Sequence, residues 1–282
     1  MQVHQELPTI PPQRNTVLAI GVFDGVHIGH LYLLQRLKDI ASQSGMLSGV
    51  LTFINHPRSI ITPESDIKYI TSAKQRIELL EDTGVDMVLP LTFDKDLSHL
   101  RAHEFTTLLQ ERLGMAGLVM GKNFVMGYQR EGKPDTLKAI GAEKGFSTTV
   151  IEPIYESMEP VSSTTIREAI TNGDVHKASR FLGRFFELRG KVVAGNARGR
   201  SMGFPTANLS IHEDRMIPGD GIYATWVHVD GKPYMSATNI GVRPTFRDNE
   251  RIVEVFILDY SEDIYGSEIT VEFVERLRNE LR

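Results

Sequence analysis

The sequence predicts an α/β protein that begins with a parallel sheet covered by helices and continues into a small antiparallel β-barrel or sandwich. Up to about residue 183, short apolar runs alternate with helical repeats, an order typical of a parallel sheet. Beyond it, five or six short strand-like runs are separated by glycine, proline, asparagine or aspartate turns. A chain of 282 residues is long enough for two domains, which we place at residues 1–183 and 184–282.

The first domain is predicted to open with a strand over residues 17–20 and a helix over residues 31–44. Ser72 and Gln75 form a capping box, which predicts a helix that ends at Gly84. The same patterns predict further strands over residues 48–53, 85–93, 117–121 and 148–155, and helices over residues 103–113 and 136–144. In such an alternating order, ligands bind at the carboxyl ends of the strands.

The second part of the chain changes period. Two short helices, over residues 164–170 and 175–182, precede it. The strand-like runs that follow cover residues 190–193, 222–229, 234–240, 253–259 and 269–273. Short strands linked by turns favour an antiparallel barrel or sandwich.

Composition excludes several classes of protein. The net charge of −5 argues against a surface that coats nucleic acid. The absence of cysteine excludes disulfides, thiolate metal sites and cysteine nucleophiles, and fits a cytoplasmic location. No run approaches the roughly 18 apolar residues of a membrane span, and the polar N-terminus is not a signal peptide. We therefore expect small-molecule partners, with no nucleic acid and no membrane, and the sequence predicts no oligomeric state.

The most informative segment is Gly-Val-Phe-Asp-Gly-Val-His-Ile-Gly-His at residues 21–30, between the first predicted strand and the first predicted helix. A helix N-terminus presents unpaired N–H groups and a partial positive charge, which attract a phosphate. His27 and His30 stand three apart and would point to one side of the first turn, where they could donate to phosphate oxygens. The glycines, including Gly21 and Gly29, would let the backbone approach the anion. The alternative is that both histidines are ordinary turn residues.

Three further stretches could complete a nucleotide site, and each has a structural alternative. Residues 121–132 hold three glycines with Lys122, Asn123 and Arg130, but could form an ordinary loop. Residues 161–167 place hydroxyls and an arginine at a helix start, where Ser162 or Ser163 could simply be an N-cap. Residues 52–57 place His56 and Pro57 just beyond a strand end, where the histidine could be a loop residue.

A second phosphate-loop candidate lies at residues 198–208, Arg-Gly-Arg-Ser-Met-Gly-Phe-Pro-Thr-Ala-Asn. Its glycines can expose backbone N–H groups to a phosphate, and Thr206 and Asn208 offer the hard oxygens that Mg²⁺ prefers. A basic turn between strands is one alternative. A nucleic-acid patch is another, because arginines and phenylalanines cluster between residues 180 and 200, although the chain is acidic overall.

Together these segments resemble the nucleotidyltransferase superfamily marked by a His-x-Gly-His turn. They resemble more closely the bacterial bifunctional riboflavin kinase/FMN adenylyltransferases, also called FAD synthetases, from about residue 14 to residue 280. The resemblance implies a Rossmann-like nucleotidyltransferase domain with a parallel sheet, followed by a riboflavin kinase barrel. It also implies that flavins are substrate and product rather than prosthetic groups, and that ATP is used with Mg²⁺.

The resemblance implies that the first domain transfers AMP from ATP to FMN and releases pyrophosphate. His27 and His30 would hold phosphate oxygens as charge builds. The remaining positions are implied as follows: Gly21, Phe23 and Gly29 at the ATP-binding turn, Ser163, Thr164 and Arg167 at the leaving pyrophosphate, and Asn123, His56 and Pro57 at the flavin.

In the second domain, residues 203–208, 239–246 and 253–254 match the riboflavin kinase module. The resemblance implies that Thr206 and Asn208 organise Mg-ATP beside the glycines of their loop, Gly199 and Gly203. Glu254 would be the general base that takes the proton from the ribityl 5′-hydroxyl. The alternative for Glu254 is an outward-facing strand residue paired with a neighbouring Lys or Arg.

The chain departs from the family at several positions: Val22 for Asn, Asn55 for the first Pro of Pro-His-Pro, Met126 for an aromatic residue and Phe256 for a polar one. It also stops at Arg282, where relatives usually continue into a final helix on the kinase barrel. These departures leave two alternatives to the bifunctional enzyme. One is an FAD synthetase with weak or absent kinase activity, and the other is a flavin- or nucleotide-binding regulator without turnover.

Overall fold

A computed structural model describes residues 2–62, 64, 67–193, 206–242 and 251–279. The chain forms two compact units. The first comprises Met1–Ile67 and Thr71–Val161, and the second comprises Lys68–Ile70 and Ser162–Arg282. The domain boundary that the sequence pattern places near residue 183 stays a prediction.

The first unit is built on a five-stranded sheet with the order β3-β2-β1-β4-β5, in which every pairing is parallel. Its strands are β1 Thr16–Gly21, β2 Leu47–Phe53, β3 Met87–Leu91, β4 Met115–Gly121 and β5 Ser147–Ile151, followed by a hairpin of β6 Tyr155–Glu156 and β7 Glu159–Pro160. Its helices are α1 Val3–Glu6, α2 Ile28–Gln43, α3 Pro57–Ile61, α4 Ala73–Glu81, α5 Lys95–His99, α6 Ala102–Leu113 and α7 Pro134–Lys144. The predicted parallel α/β domain is confirmed.

The side chains of β1 show why this sheet is covered on both faces. Leu18 and Ile20 belong to one hydrophobic cluster, whereas Val17 and Ala19 belong to another. Successive residues of a strand point to opposite faces, so the two clusters lie on either side of the sheet. Because both of its faces are buried, β1 lies at the centre of the sheet. Residues 21–30 follow it at the carboxyl ends of the parallel strands.

The second unit contains a closed six-stranded barrel with the order β10-β11-β12-β9-β8-β13. Closure settles the choice between barrel and sandwich. Its elements are α8 Ser163–Thr171, α9 Val175–Leu182, β8 Phe186–Val193, β9 Thr206–Ser210, β10 Gly221–Val229, β11 Lys232–Val242, β12 Arg251–Ile257 and β13 Glu268–Arg278. Of the helices in the described ranges, none is long and apolar enough to cross a membrane.

The structure corrects several predicted boundaries. The first long helix begins at Ile28 rather than residue 31, because His27 caps it. The strand predicted over residues 148–155 ends at Ile151, and Tyr155 starts the separate hairpin. Part of the predicted phosphate loop is strand β9, which begins at Thr206 and pairs with two other strands.

Candidate active sites

The turn between β1 and α2 has an unusual backbone. The carbonyl of Phe23 accepts a hydrogen bond from the N–H of Val26 at 2.9 Å, which closes a β-turn with Gly25 at its third position. Gly25 has a φ of 83°, as a type II turn requires there. Phe23 and Val26 also have positive φ values, 53° and 37°. Such a conformation costs roughly 1–3 kcal/mol in a residue other than glycine, so the surrounding structure must hold it in place.

His27 is the N-cap of α2, and its hydrogen bond to the helix backbone favours one tautomer of the neutral ring. Its Nδ1 accepts a hydrogen bond from the backbone N–H of His30 at 3.2 Å. An imidazole nitrogen that accepts a hydrogen bond carries no proton, so the neutral ring has its proton on Nε2. The two imidazole rings stack, with centroids 3.5 Å apart and planes at 16°. Both histidines thus lie on one side of the helix start, as the spacing predicts.

Two glycines of this segment make room for aromatic rings. A Cβ built on Gly29 would lie 3.1 Å from the His27 ring, and one on Gly21 would lie 3.2 Å from the Phe23 ring. Phe23 in turn packs edge-on against His30, with centroids 5.1 Å apart. The expected role of these glycines in phosphate approach stays a prediction, and ring packing is a further constraint that the sequence did not reveal.

The loop after β2 leaves the sheet beside this turn, because β1 and β2 are paired neighbours with Gly21 opposite Thr52. The hydroxyl of Thr52 donates to the carbonyl of Val22 at 3.0 Å, so Val22 serves here through its backbone. His56 is the N-cap of α3, since its Nδ1 accepts from the N–H of Arg58 at 3.1 Å. Pro57 follows as the first helical residue, a position that suits proline.

Asn55 explains one departure from the family pattern. Its side-chain amide donates to the carbonyl of Phe93 at 2.9 Å, and its amide oxygen accepts from the Phe93 N–H at 2.9 Å. These two bonds link the segments that follow the paired strands β2 and β3. Asn55 thereby anchors the residues immediately before His56, a role for which proline has no side-chain groups.

Asn123 follows β4, the other neighbour of β1, and its side chain is exposed. Three residues later, Met126 exchanges paired backbone hydrogen bonds with Gly132, at 2.9 and 3.1 Å. Met126 packs against the hydrophobic core of the first unit. The loops bearing His27, His56 and Asn123 therefore all leave the carboxyl edge of three adjacent parallel strands.

Ser163, Thr164 and Arg167 lie on α8, which belongs to the second unit. Ser162 caps this helix, because its Oγ accepts from the N–H of Thr165 at 3.2 Å. Capping therefore does not account for the hydroxyls of Ser163 and Thr164. The Nε of Arg167 donates to the carbonyl of Lys68 at 3.1 Å, which fixes part of the guanidinium.

The barrel places Glu254 directly opposite Asn208 on one side and Asn239 on the other. Thr206, two residues before Asn208, shares its face of β9. The neighbouring residues Val253 and Val255 are buried, so Glu254 and its partners lie on the outer face of the barrel. Side chains in direct cross-strand pairs have Cβ atoms about 4.5–5.5 Å apart. The row Asn208–Glu254–Asn239 thus gathers one carboxylate and two amides.

Asn239 is a candidate site residue by its pairing with Glu254, and sequence reasoning did not single it out, although it opens the family segment at residues 239–246. The indication is its position opposite the Glu254 carboxylate, which follows only from the pairing of β11 with β12, because 14 residues of sequence lie between the two. Gly199 and Gly203 lie outside the described residues, as do residues 243–246 of that segment. The roles of all these residues stay predictions.

Comparisons with known proteins agree with this architecture. The family model for FAD synthetase matches residues 9–165, and the model for riboflavin kinase matches residues 182–282. A bifunctional riboflavin kinase/FMN adenylyltransferase from Pseudomonas fluorescens is 37% identical over 100% of this chain and 91% of its own length. Namesakes from Listeria monocytogenes and Escherichia coli K12 are 35% and 36% identical, over 95% and 96% of this chain and 86% and 87% of theirs.

A solved structure from Streptococcus pneumoniae, named as a macrolide-efflux protein, has the same fold. It superposes with a TM-score of 0.89 at 30% identity, over 97% of this chain and 90% of that one. The efflux name belongs to that protein, whereas both family models and the full-length sequence relatives agree with one another. The chain therefore belongs to the family of bacterial bifunctional riboflavin kinase/FMN adenylyltransferases.

Proposed function

We propose that this chain makes FAD from riboflavin in two ATP-dependent steps. The barrel phosphorylates riboflavin to FMN and releases ADP, and the parallel-sheet domain adenylylates FMN to FAD and releases pyrophosphate. The observation that carries the proposal is the presence in one chain of both matched regions, residues 9–165 and 182–282. We place the protein in the cytoplasm, where ATP and free flavins meet.

In the adenylyl step, a phosphate oxygen of FMN attacks the α-phosphorus of ATP, and the bond from that phosphorus to the bridging oxygen breaks. No covalent enzyme intermediate is needed, so catalysis consists of positioning and charge stabilisation. His27 suits this role because its Nδ1 accepts from the His30 N–H, so the Nε2 proton of the neutral ring would be its donor to a phosphate oxygen. His30 is stacked against it and would stabilise the same phosphate oxygens.

The other residues of this step would bind rather than react. Gly21, Phe23 and Gly29 shape the turn that receives ATP. Asn123, His56 and Pro57 would contact the flavin nucleotide from the loops after the two strands that flank β1. The leaving pyrophosphate would be bound by Ser163, Thr164 and Arg167.

In the kinase step, Glu254 would accept the proton of the ribityl 5′-hydroxyl while the oxygen attacks the γ-phosphorus. A positioned carboxylate is sufficient, because the loose transition state needs an acceptor rather than a strong base. Asn208 and Asn239 flank Glu254 and can orient the hydroxyl and the carboxylate through hydrogen bonds.

The side chains on β9 fit a magnesium ion bound with ATP. Thr206 and Asn208 lie two residues apart on one strand, so a hydroxyl and an amide oxygen share a face beside the Glu254 carboxylate. Mg²⁺ takes such oxygens together with phosphate oxygens and water. Bound there, the ion would neutralise charge on the phosphates, to which we also assign Gly199 and Gly203 as binding residues. Across the described ranges, no group of three His, Cys, Asp or Glu residues forms a separate metal centre.

One assay tests the proposal. Purified protein is incubated with riboflavin, ATP and Mg²⁺, and the flavins are separated by chromatography. We expect FMN to appear first and FAD to follow. FAD formed only when FMN is supplied would indicate an FAD synthetase with little kinase activity. Unchanged flavin in both reactions would indicate a binding protein without turnover and would refute the proposal.

A further inference from the structure

A buried hydrogen-bond cluster ties the strained turn to a distant part of the first unit. Asp24 and Thr71 are buried residues, with 2% and 1% of their surface exposed. The Oδ1 of Asp24 accepts from the Thr71 backbone N–H and from the Thr71 hydroxyl, both at 3.1 Å. The same hydroxyl accepts from the Gly25 N–H at 3.0 Å. One hydroxyl thus serves at once as donor to the turn's side chain and as acceptor from its backbone.

This cluster acts where the backbone needs support. Asp24 and Gly25 are the two central residues of the turn, and the residues on either side of them, Phe23 and Val26, hold positive φ values. A β-branched residue rarely adopts that conformation unless its surroundings impose it. The hydroxyl of Thr71 contacts both central residues and therefore limits the rotation of the turn as a whole.

The β-turn at residues 23–26 also sets the position of His27. Only Val26 lies between the clamped pair, Asp24 and Gly25, and the histidine that caps α2. A shift of the turn would move the His27 ring and, through their stacking, the His30 ring with it. Misplacement of a catalytic group by about 1 Å can cost as much as 100-fold in rate.

We propose that Thr71 is a positioning residue for adenylyl transfer: its hydroxyl locks the residue 23–26 turn so that His27 and His30 meet the phosphate of ATP. This inference rests on the proposed function. Thr71 acts through the turn and would not itself touch the substrate. Its effect should therefore appear in the rate of the chemical step rather than in flavin binding.

The test compares Thr71→Val with Thr71→Ser. Valine keeps the shape of the side chain but removes both hydroxyl contacts, whereas serine keeps the hydroxyl. We expect Thr71→Val to lower kcat for FMN adenylylation by about tenfold or more, with KM for FMN within about twofold of wild type. Thr71→Ser should stay within about threefold in kcat, and both variants should phosphorylate riboflavin at the wild-type rate.

Thr16→Val is the matched control. Thr16 is also fully buried and donates its hydroxyl to the Leu113 carbonyl at 3.0 Å, but it lies at the opposite end of β1. It should leave adenylylation unchanged, and circular dichroism should show all variants folded. The inference is overturned if Thr71→Val keeps the wild-type kcat, if Thr71→Ser is equally impaired, or if Thr16→Val shows the same loss. Absence of adenylylation in the wild type would instead refute the proposed function.

Discussion

The backbone N–H of His30 donates to Nδ1 of His27 at 3.2 Å, while the two imidazole rings stack 3.5 Å apart. One hydrogen bond therefore starts helix α2, selects the tautomer of His27 and holds the second histidine beside it. These two residues therefore combine a structural role, the start of helix α2, with the proposed binding of phosphate oxygens. Substitutions can separate the two roles.

His27→Asn should separate capping from catalysis. Asparagine is a good N-cap, so its oxygen can accept from the His30 N–H and preserve the helix start. Its short side chain lacks the Nε2 donor, and loss of one such donor to a developing charge costs about 100- to 1,000-fold in rate. Chromatography should show FMN accumulating from riboflavin with little FAD. His27→Ala should also lower the melting temperature, and wild-type FAD synthesis by either variant would contradict the role.

Gly29→Ala tests the packing of the histidine pair. Alanine favours a helix over glycine by about 1 kcal/mol, so the change should be harmless by propensity alone. Its Cβ would stand 3.1 Å from the His27 ring, however, and the ring must move to relieve this contact. We expect adenylylation to fall about tenfold. Ser42→Ala, an exposed position near the other end of α2, should leave the rate unchanged.

Glu254→Gln should remove the kinase step alone. Glutamine has nearly the same shape but cannot take the proton of the ribityl hydroxyl, and a general base contributes about 100- to 10,000-fold in rate. Formation of FMN from riboflavin should therefore be lost, while conversion of supplied FMN to FAD continues. Retention of kinase activity would favour the alternative in which Glu254 is only an outward-facing strand residue.

Asp86 should make the first unit sensitive to acid. Hydrogen bonds from the Ser48 N–H at 2.8 Å and its hydroxyl at 2.7 Å lower the pKa of the Asp86 carboxyl from its usual 3.8. A carboxyl whose pKa is lower in the folded protein stabilises the fold at pH values above its pKa in the unfolded chain. This stabilisation is lost as the pH falls below about 3.8. Asp86→Asn should therefore melt at a lower temperature than wild type at pH 7. The free energy of unfolding should fall by no more than about 1 kcal/mol, because this group is exposed. A difference that stayed constant down to pH 3 would contradict this explanation.

Local signals predicted most of the fold. Helix α9 matches its predicted bounds, Val175 to Leu182, because Asp174 caps it and Gly183 ends it in a left-handed conformation. Strand β9 was missed because it follows a glycine- and proline-containing stretch, and its strand character comes from pairing with β8 and β12. The strand predicted over residues 148–155 extends too far because Ile154 and Tyr155 are residue types that favour strands, whereas Glu152 and Pro153 directly follow the last paired residue, Ile151.

The candidate sites also contain features that local sequence predicts and features that depend on contacts between distant residues. The His27–His30 pair was predictable, because its geometry follows from spacing on one helix turn. The hydrogen bonds between Asp24 and Thr71 were not predictable, because 47 positions separate the two residues and no short sequence pattern indicates their contact. The barrel row likewise depends on strand register, which brings Asn208, Glu254 and Asn239 together from three strands.

The central claim is that one chain carries two independent active sites that act in sequence. The most direct measurement mixes His27→Asn with Glu254→Gln and follows riboflavin, FMN and FAD over time in the presence of ATP and Mg²⁺. We predict that the first variant alone stops at FMN, that the second alone leaves riboflavin unchanged, and that the mixture makes FAD. Failure of the mixture to make FAD, although each variant retains its other step, would contradict the account.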